Sequence, residues 1–268
     1  DPNLDYITGE EPGDDASFDV ETGIYWKLTN GTLHVYYTGD LSAIGETDYP
    51  WCDYGEQVVT LILHQGITKV DSSMVGYMEN LESITFPASF IGNTYEDDDY
   101  GTFFVMNDKL KEILVSEENV KYMSIDGVLF NKNASKLIFY PYAKGNTSYT
   151  VPESCTSILS IYSENLKELN LGTHLETIEQ AYGAGGPNLQ KLSVPATLKL
   201  SAFPMFDTSK DTIIKIDASN PYILLKDDVI YNKNKTVVNQ LLASYKKEEL
   251  TLPDTVVEIG EDAFAYTQ

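Results

Sequence analysis

Apolar residues recur along this chain in a short alternating pattern. The segment that starts at Leu81 is apolar at its first, fourth and sixth positions, and the same pattern starts again at Leu110, Leu166 and Leu189. The last two apolar positions of each segment are two residues apart, so on a strand they point to the same face. The pattern predicts short β-strands, each with one face in a core.

The segments also return at a nearly constant interval. The middle apolar positions of successive segments are residues 61, 84, 113, 149, 169, 192, 214 and 250, which indicates a unit of about 23 residues. A unit this short cannot bury its own apolar face, whereas stacked units share a continuous core. We therefore predict a β-rich solenoid with a parallel β ladder.

A longer duplication contains these units. The sequence "SIDGVLFNKN" at 124–133 returns as "KDDVIYNKN" at 226–234, which predicts an internal duplication of 58–157 as 166–258. In each copy two apolar runs flank a polar turn with the sequence Asn-Lys-Asn, so we predict an inserted β-hairpin. The copies differ by a seven-residue insertion that lies within 93–104.

The N-terminal part has a different composition. Residues 1–22 hold eight acidic residues and no basic one, which is typical of a disordered linker. Residues 23–57 contain two β-rich runs on either side of Asn30-Gly31, the dipeptide favoured in tight hairpin turns. We predict a β-hairpin cap over 23–57 and the solenoid over 58–268.

The net charge of the chain indicates which kinds of molecule it can bind. The chain has 41 acidic and 18 basic residues, a net charge of −23, and every basic residue is lysine. Such a surface repels phosphate backbones, so we predict no nucleic-acid partner. Acidity also keeps an exported protein soluble. No apolar run reaches the roughly 18–20 residues that span a bilayer, so membrane insertion is not predicted.

The last unit carries a family pattern. In "LTLPDTVVEIGEDAFAYTQ" at 250–268 an apolar strand is followed by Pro, Val, Ile-Gly and Ala-Phe. This resembles the BspA-like, or Treponema-type, leucine-rich repeat of bacterial surface and secreted proteins. "YTVPESCTSI" at 149–158 and the hairpin motif resemble other segments of those proteins, and the resemblance covers about 23–268.

The resemblance implies a right-handed superhelix with a parallel β ladder and short helices or turns on the other side. It also implies an extracellular or cell-surface location and a role in adhesion or protein binding, without catalytic residues. The chain starts at Asp1 rather than Met, as in a mature form without its targeting segment, and stops at Gln268 where another repeat is due. We expect either a shortened chain or further repeats beyond that point.

The residues that alternate with the core positions form the predicted binding face. They share an outward direction on the parallel ladder. These candidate ligand-binding residues are Thr60, Ile62, Ser83, Thr85, Glu112, Leu114, Glu168, Asn170, Lys191, Ser193, Ile213 and Lys215.

The sequence contains few residues in arrangements typical of catalysis or metal binding. Motifs for a nucleophile, a zinc site or a phosphate loop are missing, so no catalytic residue, cofactor or metal ligand is predicted. His64 and His174 follow equivalent strands five coils apart and cannot share a metal, and His34 lies in the N-terminal hairpin. They are predicted to be loop histidines rather than metal ligands. Cys155 aligns with Val256 and is predicted to be a small core residue.

One acidic cluster allows two interpretations. Glu96, Asp97, Asp98 and Asp99 lie inside the insertion, between two tyrosines. Carboxylates can bind calcium, but the spaced ligands and glycine of a dedicated site are missing, so a solvated acidic loop is the favoured interpretation.

The leading hypothesis is a monomeric, non-enzymatic binding module that recognises a protein or a glycan through the solenoid surface. An enzyme that acts on polysaccharide is an alternative, since paired carboxylates in a groove perform that chemistry. A structural spacer within a longer surface protein is the third.

Overall fold

Regular structure in this protein is almost entirely β. The computed structural model describes residues 11–44, 49–93 and 107–265, and these contain short strands together with 3-10 helices at Leu41–Ile44, Cys52–Gln57 and Ser72–Met74. None of the helices in these ranges has the length and apolarity to cross a bilayer. The chain forms two compact units, the first made of residues up to Asn133 with Pro141–Lys144 and the second of Ala134–Tyr140 with the chain from Gly145 onward.

The first unit is built around one mainly parallel sheet with the strand order β1-β2-β3-β5-β7-β9, beside a smaller sheet β4-β6-β8 and a hairpin β10-β11. Its strands are β1 (Ser17–Phe18), β2 (Tyr25–Thr29), β3 (Thr32–Tyr36), β4 (Gly39–Asp40), β5 (Thr60–Leu63), β6 (Ile67–Val70), β7 (Ser83–Phe86), β8 (Gly92–Asn93), β9 (Glu112–Val115), β10 (Tyr122–Ile125) and β11 (Val128–Asn131).

The predicted N-terminal hairpin is present. β2 and β3 pair antiparallel around Asn30 and Gly31, whose φ angles of 50° and 83° are those of a tight hairpin turn. β1 adds a short antiparallel pair to β2, and the rings of Phe18 and Tyr25 lie 4.5 Å apart between centroids. This pairing lies within the segment predicted to be a linker, although both aromatic side chains stay largely exposed.

In the first unit, the apolar positions that recur along the sequence pair with one another on neighbouring strands. Leu61 pairs with Ile84 and Ile84 with Ile113, in parallel, and all three side chains are fully buried. Parallel neighbours need a long return connection, which here is the rest of each coil. The β-rich repeat fold is therefore confirmed in this unit.

The second unit contains three parallel ladders, β13-β16-β19-β21, β15-β18-β20 and β12-β14-β17, together with a mixed sheet β22-β23-β24-β25. Its strands are β12 (Lys136–Phe139), β13 (Ser148–Thr150), β14 (Ser157–Ile158), β15 (Ile161–Tyr162), β16 (Glu168–Asn170), β17 (Thr177–Ile178), β18 (Ala184–Gly185), β19 (Lys191–Val194), β20 (Phe206–Asp207), β21 (Ile213–Ile216), β22 (Ile223–Lys226), β23 (Val229–Asn232), β24 (Val237–Leu241) and β25 (Glu258–Ile259).

The same register continues within the second unit. Tyr149 pairs with Leu169, Leu169 with Leu192, and Leu192 with Ile214, at the positions predicted from the sequence. Leu250, the last member of the predicted series, belongs to no strand and packs instead against the cluster around Val229 and Val238. The expected strand at that position is wrong, since this segment packs its apolar side chains without pairing its backbone.

The hairpin motif of the second copy has one strand more than predicted. β23 and β24 pair antiparallel around the Asn-Lys-Asn turn, as predicted, but β22 also pairs antiparallel with β23. The turn between β22 and β23 is Asp227-Asp228, with φ angles of 51° and 61°. In the first copy β10 and β11 form the equivalent hairpin around Asp126 and Gly127. The extra strand lacked strict alternation, so its pattern did not predict it.

A buried asparagine follows the ladder in each copy. In the second unit the Asn220 side-chain nitrogen donates to the carbonyls of Pro195 and Leu198 at 2.8 and 3.0 Å, while its oxygen accepts from the backbone N–H groups of Tyr222 and Ile223, both at 2.8 Å. The side chain is completely buried. Asn220 therefore makes two hydrogen bonds to the preceding repeat and two within its own.

Asn119 repeats this arrangement in the first unit. Its amide donates to the carbonyls of Pro87 and Phe90 at 2.9 and 2.8 Å and accepts from the N–H groups of Lys121 and Tyr122. Because the two asparagines hold equivalent positions of the duplication, the same polar link recurs in both copies.

Candidate functional site

The predicted binding face of the first unit forms two parallel rows. Thr60, Ser83 and Glu112 pair in one row, and the Ser83 hydroxyl donates to a Glu112 carboxylate oxygen at 3.2 Å. Ile62, Thr85 and Leu114 pair in the other row. Members of each row therefore share one face of the sheet, as the alternation predicted.

Thr85 departs from the prediction because it is only 3% exposed. Its neighbours in the row, Ile62 and Leu114, carry longer apolar side chains and are themselves half-buried. Same-face neighbours on adjacent strands lie about 4.8 Å apart, so two longer side chains can cover a threonine between them. The assignment of Thr85 as solvent-facing was wrong, and this row is largely apolar.

The face of the second unit is more open and more charged. Glu168, Lys191 and Ile213 form one row, in which the Lys191 ammonium and the Glu168 carboxylate lie 2.6 Å apart. Asn170, Ser193 and Lys215 form the second row. Ile213 is 69% exposed, a large apolar side chain between charged neighbours.

A hollow of about 250 Å³ adjoins the second of these rows. Asn170, Ser193 and Lys215 line it together with Asp217, which sequence reasoning did not select. Hydrogen bonds from the Ser219 hydroxyl and backbone N–H hold the pKa of the Asp217 carboxyl below its usual range. The hollow therefore combines an amide, a hydroxyl, an ammonium and a carboxylate.

Two of the three histidines are in contact with each other, which the sequence did not predict. His34 Nδ1 and His64 Nε2 lie 2.9 Å apart, and the His64 ring stacks on Tyr36 with 3.9 Å between centroids. His64 and His174 lie just after β5 and β16, outside the strands, as predicted, and His64 is 1% exposed. The pair forms because β3 and β5 are adjacent and parallel, a pairing that the repeat pattern does not predict.

Other predicted features have mixed outcomes. Cys155 is fully buried, as predicted, and burial raises the pKa of its thiol. Within the described ranges, no three His, Cys, Asp or Glu side chains are grouped to hold a metal ion. Glu96, Asp97, Asp98 and Asp99 lie outside the described residues.

One carboxylate away from the predicted face stands out by its burial. Asp207 lies at the end of β20, and desolvation raises the pKa of its carboxyl above the ordinary value. A folded-state pKa above the unfolded-state value means that ionisation opposes folding. The cost is present at neutral pH and disappears as the pH falls through the raised pKa toward that of the unfolded chain.

We therefore expect Asp207→Asn to raise the melting temperature at pH 7. The advantage over the parent should shrink as the pH falls below the raised pKa and vanish near pH 3.8, the ordinary value for aspartate. Thermal melts of both proteins from pH 3.5 to 7.5 measure this. A variant that is less stable than the parent at pH 7 would show that the carboxylate stabilises the fold.

Comparisons with known proteins gave only distant structural likenesses. No protein-family model and no curated protein sequence matches the chain. A leucine-rich repeat protein from Eubacterium ventriosum is similar over 82% of this chain and 73% of its own, at 17% identity and a TM-score of 0.38. The pneumococcal vaccine antigen PcpA is similar over 77% of this chain and 64% of its own, at 16% identity and a TM-score of 0.33.

A third structure is a leucine-rich cell surface protein from Faecalibacterium prausnitzii. It is similar over 78% of this chain and 96% of its own, at 12% identity and a TM-score of 0.27. None of the three reaches a TM-score of 0.5, so the function proposed below depends on the residues of this chain.

Proposed function

We propose that this chain is a non-enzymatic binding module of the leucine-rich-repeat type, which acts outside the cell or on its envelope and recognises a protein or a glycan. The contact surface is the open ladder face of the second unit. It comprises Glu168, Asn170, Lys191, Ser193, Ile213 and Lys215.

The exposure of Ile213 carries this proposal. A large apolar side chain that is 69% exposed on a strand gives a partner an apolar anchor, and the nearby charges give specificity. The adjacent hollow lined by Asn170, Ser193 and Lys215 adds polar groups within reach of the same partner. The parallel ladder supports the proposal further, because rows of side chains repeat across its adjacent strands.

A binding screen against matrix proteins and glycans tests the proposal, with the parent chain and Ile213→Asp compared on every positive surface. We expect at least a tenfold loss of affinity for Ile213→Asp, because a charge replaces the apolar anchor and about 1.4 kcal/mol accounts for each factor of ten. Biolayer interferometry on the positive ligands measures the ratio.

Lys210→Glu is the matched control, since Lys210 is exposed in the same unit but lies off the ladder face. It should leave the affinity within about twofold of the parent. If the parent chain bound no protein or glycan, the proposed binding function would be contradicted and a structural role would remain. If Ile213→Asp bound as tightly as the parent, the contact surface would not be the ladder face.

A further inference from the structure

A second concave site lies in the second unit, away from the ladder face. It has a volume of about 380 Å³, within the range of small-ligand pockets. Tyr162, Tyr182, Pro187, Phe206 and Asp207 are among its lining residues. Most of the wall is therefore aromatic or apolar, with one carboxyl group.

The strand register explains how the pocket opens. Tyr162 pairs with Gly185, and Gly185 pairs with Asp207, so the three residues form one row across β15, β18 and β20. The middle position has no side chain, and a Cβ built there would lie 1.6 Å from the Asp207 carbonyl oxygen. The backbone therefore fixes a gap between Tyr162 and Asp207, whose Cα atoms are two strand steps, or about 10 Å, apart.

Tyr182 lines the pocket in a rare conformation. Its φ is 54°, in the left-handed region that bulky residues seldom adopt. Its backbone N–H donates to the Pro204 carbonyl at 2.7 Å and its hydroxyl donates to the Asp262 carbonyl at 3.1 Å, so both ends of the residue are fixed. Such conformations persist where the surroundings enforce them, and they are concentrated at ligand sites.

Asp207 is the polar group in this pocket that lacks a counter-charge. Among the described residues its carboxylate takes part in no ion pair. Gln240, which also lines the pocket, uses its amide within the protein, where it accepts from the Phe206 N–H at 3.1 Å and donates to the Phe206 carbonyl at 2.6 Å. The pocket thus offers one partly desolvated negative charge beside aromatic rings.

We propose that this pocket binds an organic cation, a primary ammonium on an apolar stem, which a partner protein supplies as a lysine side chain. A carboxylate that is partly removed from water gains most from a cation, and tyrosine rings attract the same group through their faces. The net charge of −23 favours the approach of a basic partner. This inference rests on the proposed function and narrows its partner to a protein.

A sugar fits this pocket less well. Sugars require several hydrogen-bonding groups that are free to turn toward the ligand, whereas the Gln240 amide and the Tyr182 hydroxyl hydrogen are already bonded within the protein. The alternative remains an outcome of the test.

Calorimetric titration of the whole chain with Nα-acetyl-lysine methylamide tests the proposal, with Nα-acetyl-norleucine methylamide as the uncharged analogue and methyl glucoside as the sugar probe. We expect the lysine derivative to bind at least tenfold more tightly than either. Asp207→Asn should reduce that binding at least tenfold, and binding to the parent should weaken as acid protonates Asp207. The control Asp254→Asn removes the same charge from an exposed position and should bind like the parent.

Because Asp207→Asn is expected to be at least as stable as the parent, a loss of binding by this variant would not be due to unfolding. Equal binding of the lysine and norleucine derivatives, tighter binding of the glucoside, no binding of any probe, or unchanged binding by Asp207→Asn would each overturn the inference. Ile213→Asp should bind the lysine derivative normally, so failure of this pocket and failure of the ladder face are separate results.

Discussion

Asn220→Ala should lower the free energy of unfolding by at least about 3 kcal/mol. The substitution leaves the carbonyls of Pro195 and Leu198 without their side-chain donor, and two backbone N–H groups without their acceptor. Each unsatisfied buried polar group costs about 1–3 kcal/mol, and some of this is recovered where water enters the gap. Equilibrium unfolding in urea, monitored by circular dichroism, measures the change.

Asn234→Ala is the matched control for this experiment. Asn234 has the same side chain in the same unit but is exposed in the turn of the hairpin motif, so its removal should change stability by no more than about 0.5 kcal/mol. If Asn220→Ala were as mild as the control, the coils would not be joined by buried asparagine. Asn119→Ala should repeat the large effect in the first unit, because it makes the equivalent four contacts.

Gly185→Ala should also destabilise the second unit by at least about 3 kcal/mol. Its Cβ would lie 1.6 Å from the Asp207 carbonyl oxygen, and the residue has a φ of 153° that L side chains rarely adopt. The neighbouring strand must move before the methyl group can fit, which breaks the pairing of Gly185 with Asp207. Urea unfolding measures the loss.

Gly145→Ala provides the comparison, because a Cβ at Gly145 meets nothing within 4 Å. That variant should be equal to the parent or more stable by up to about 1 kcal/mol, through a smaller unfolded-state entropy. A Gly185→Ala protein as stable as the parent would mean that β18 and β20 are not held in the close contact seen here.

The core and its register were predictable from sequence because both follow from alternation and period. Leu61, Ile84, Leu169 and Leu192 were assigned inward from the spacing of apolar residues, and each is buried and paired with its predicted neighbour. In a parallel ladder, residues that are one repeat apart in the sequence lie next to each other on adjacent strands. The alternation of apolar residues did not predict β10 and β22, because these two strands do not alternate strictly.

The candidate sites were only partly predictable for a related reason. Exposure depends on the size of neighbouring side chains as well as on direction, so Thr85 was misassigned although its strand was correct. His34 and His64 are brought together by the pairing of β3 with β5, which joins the N-terminal hairpin to the first repeat and follows no repeat rule. The pocket around Asp207 depends on a backbone conformation at Tyr182 that alternation does not encode.

The departure of 178–188 from the family pattern was visible in the sequence, but its meaning was not. The segment "IEQAYGAGGPN" lacks the Ile-Gly-x-x-Ala-Phe present at 259–264 and contains Tyr182 and Gly185 instead. Tyr182 lines the pocket, and Gly185 pairs with two lining residues, Tyr162 and Asp207. The break in the repeat and the proposed cation site therefore coincide.

Engineered disulfides can verify that successive repeats pair in one fixed parallel register. In a chain with Cys52→Ser, the pair Lys191→Cys with Ile213→Cys lies on adjacent, paired, exposed positions, and the remaining Cys155 is buried. We expect this pair to form a disulfide under mild oxidation, because adjacent strands lie within disulfide reach. The pair Glu168→Cys with Ile213→Cys is on the same row but two strands apart, about 10 Å, and should remain reduced. Quantitative cross-linking of the second pair, or none of the first, in peptide mass spectrometry would contradict the stacked register.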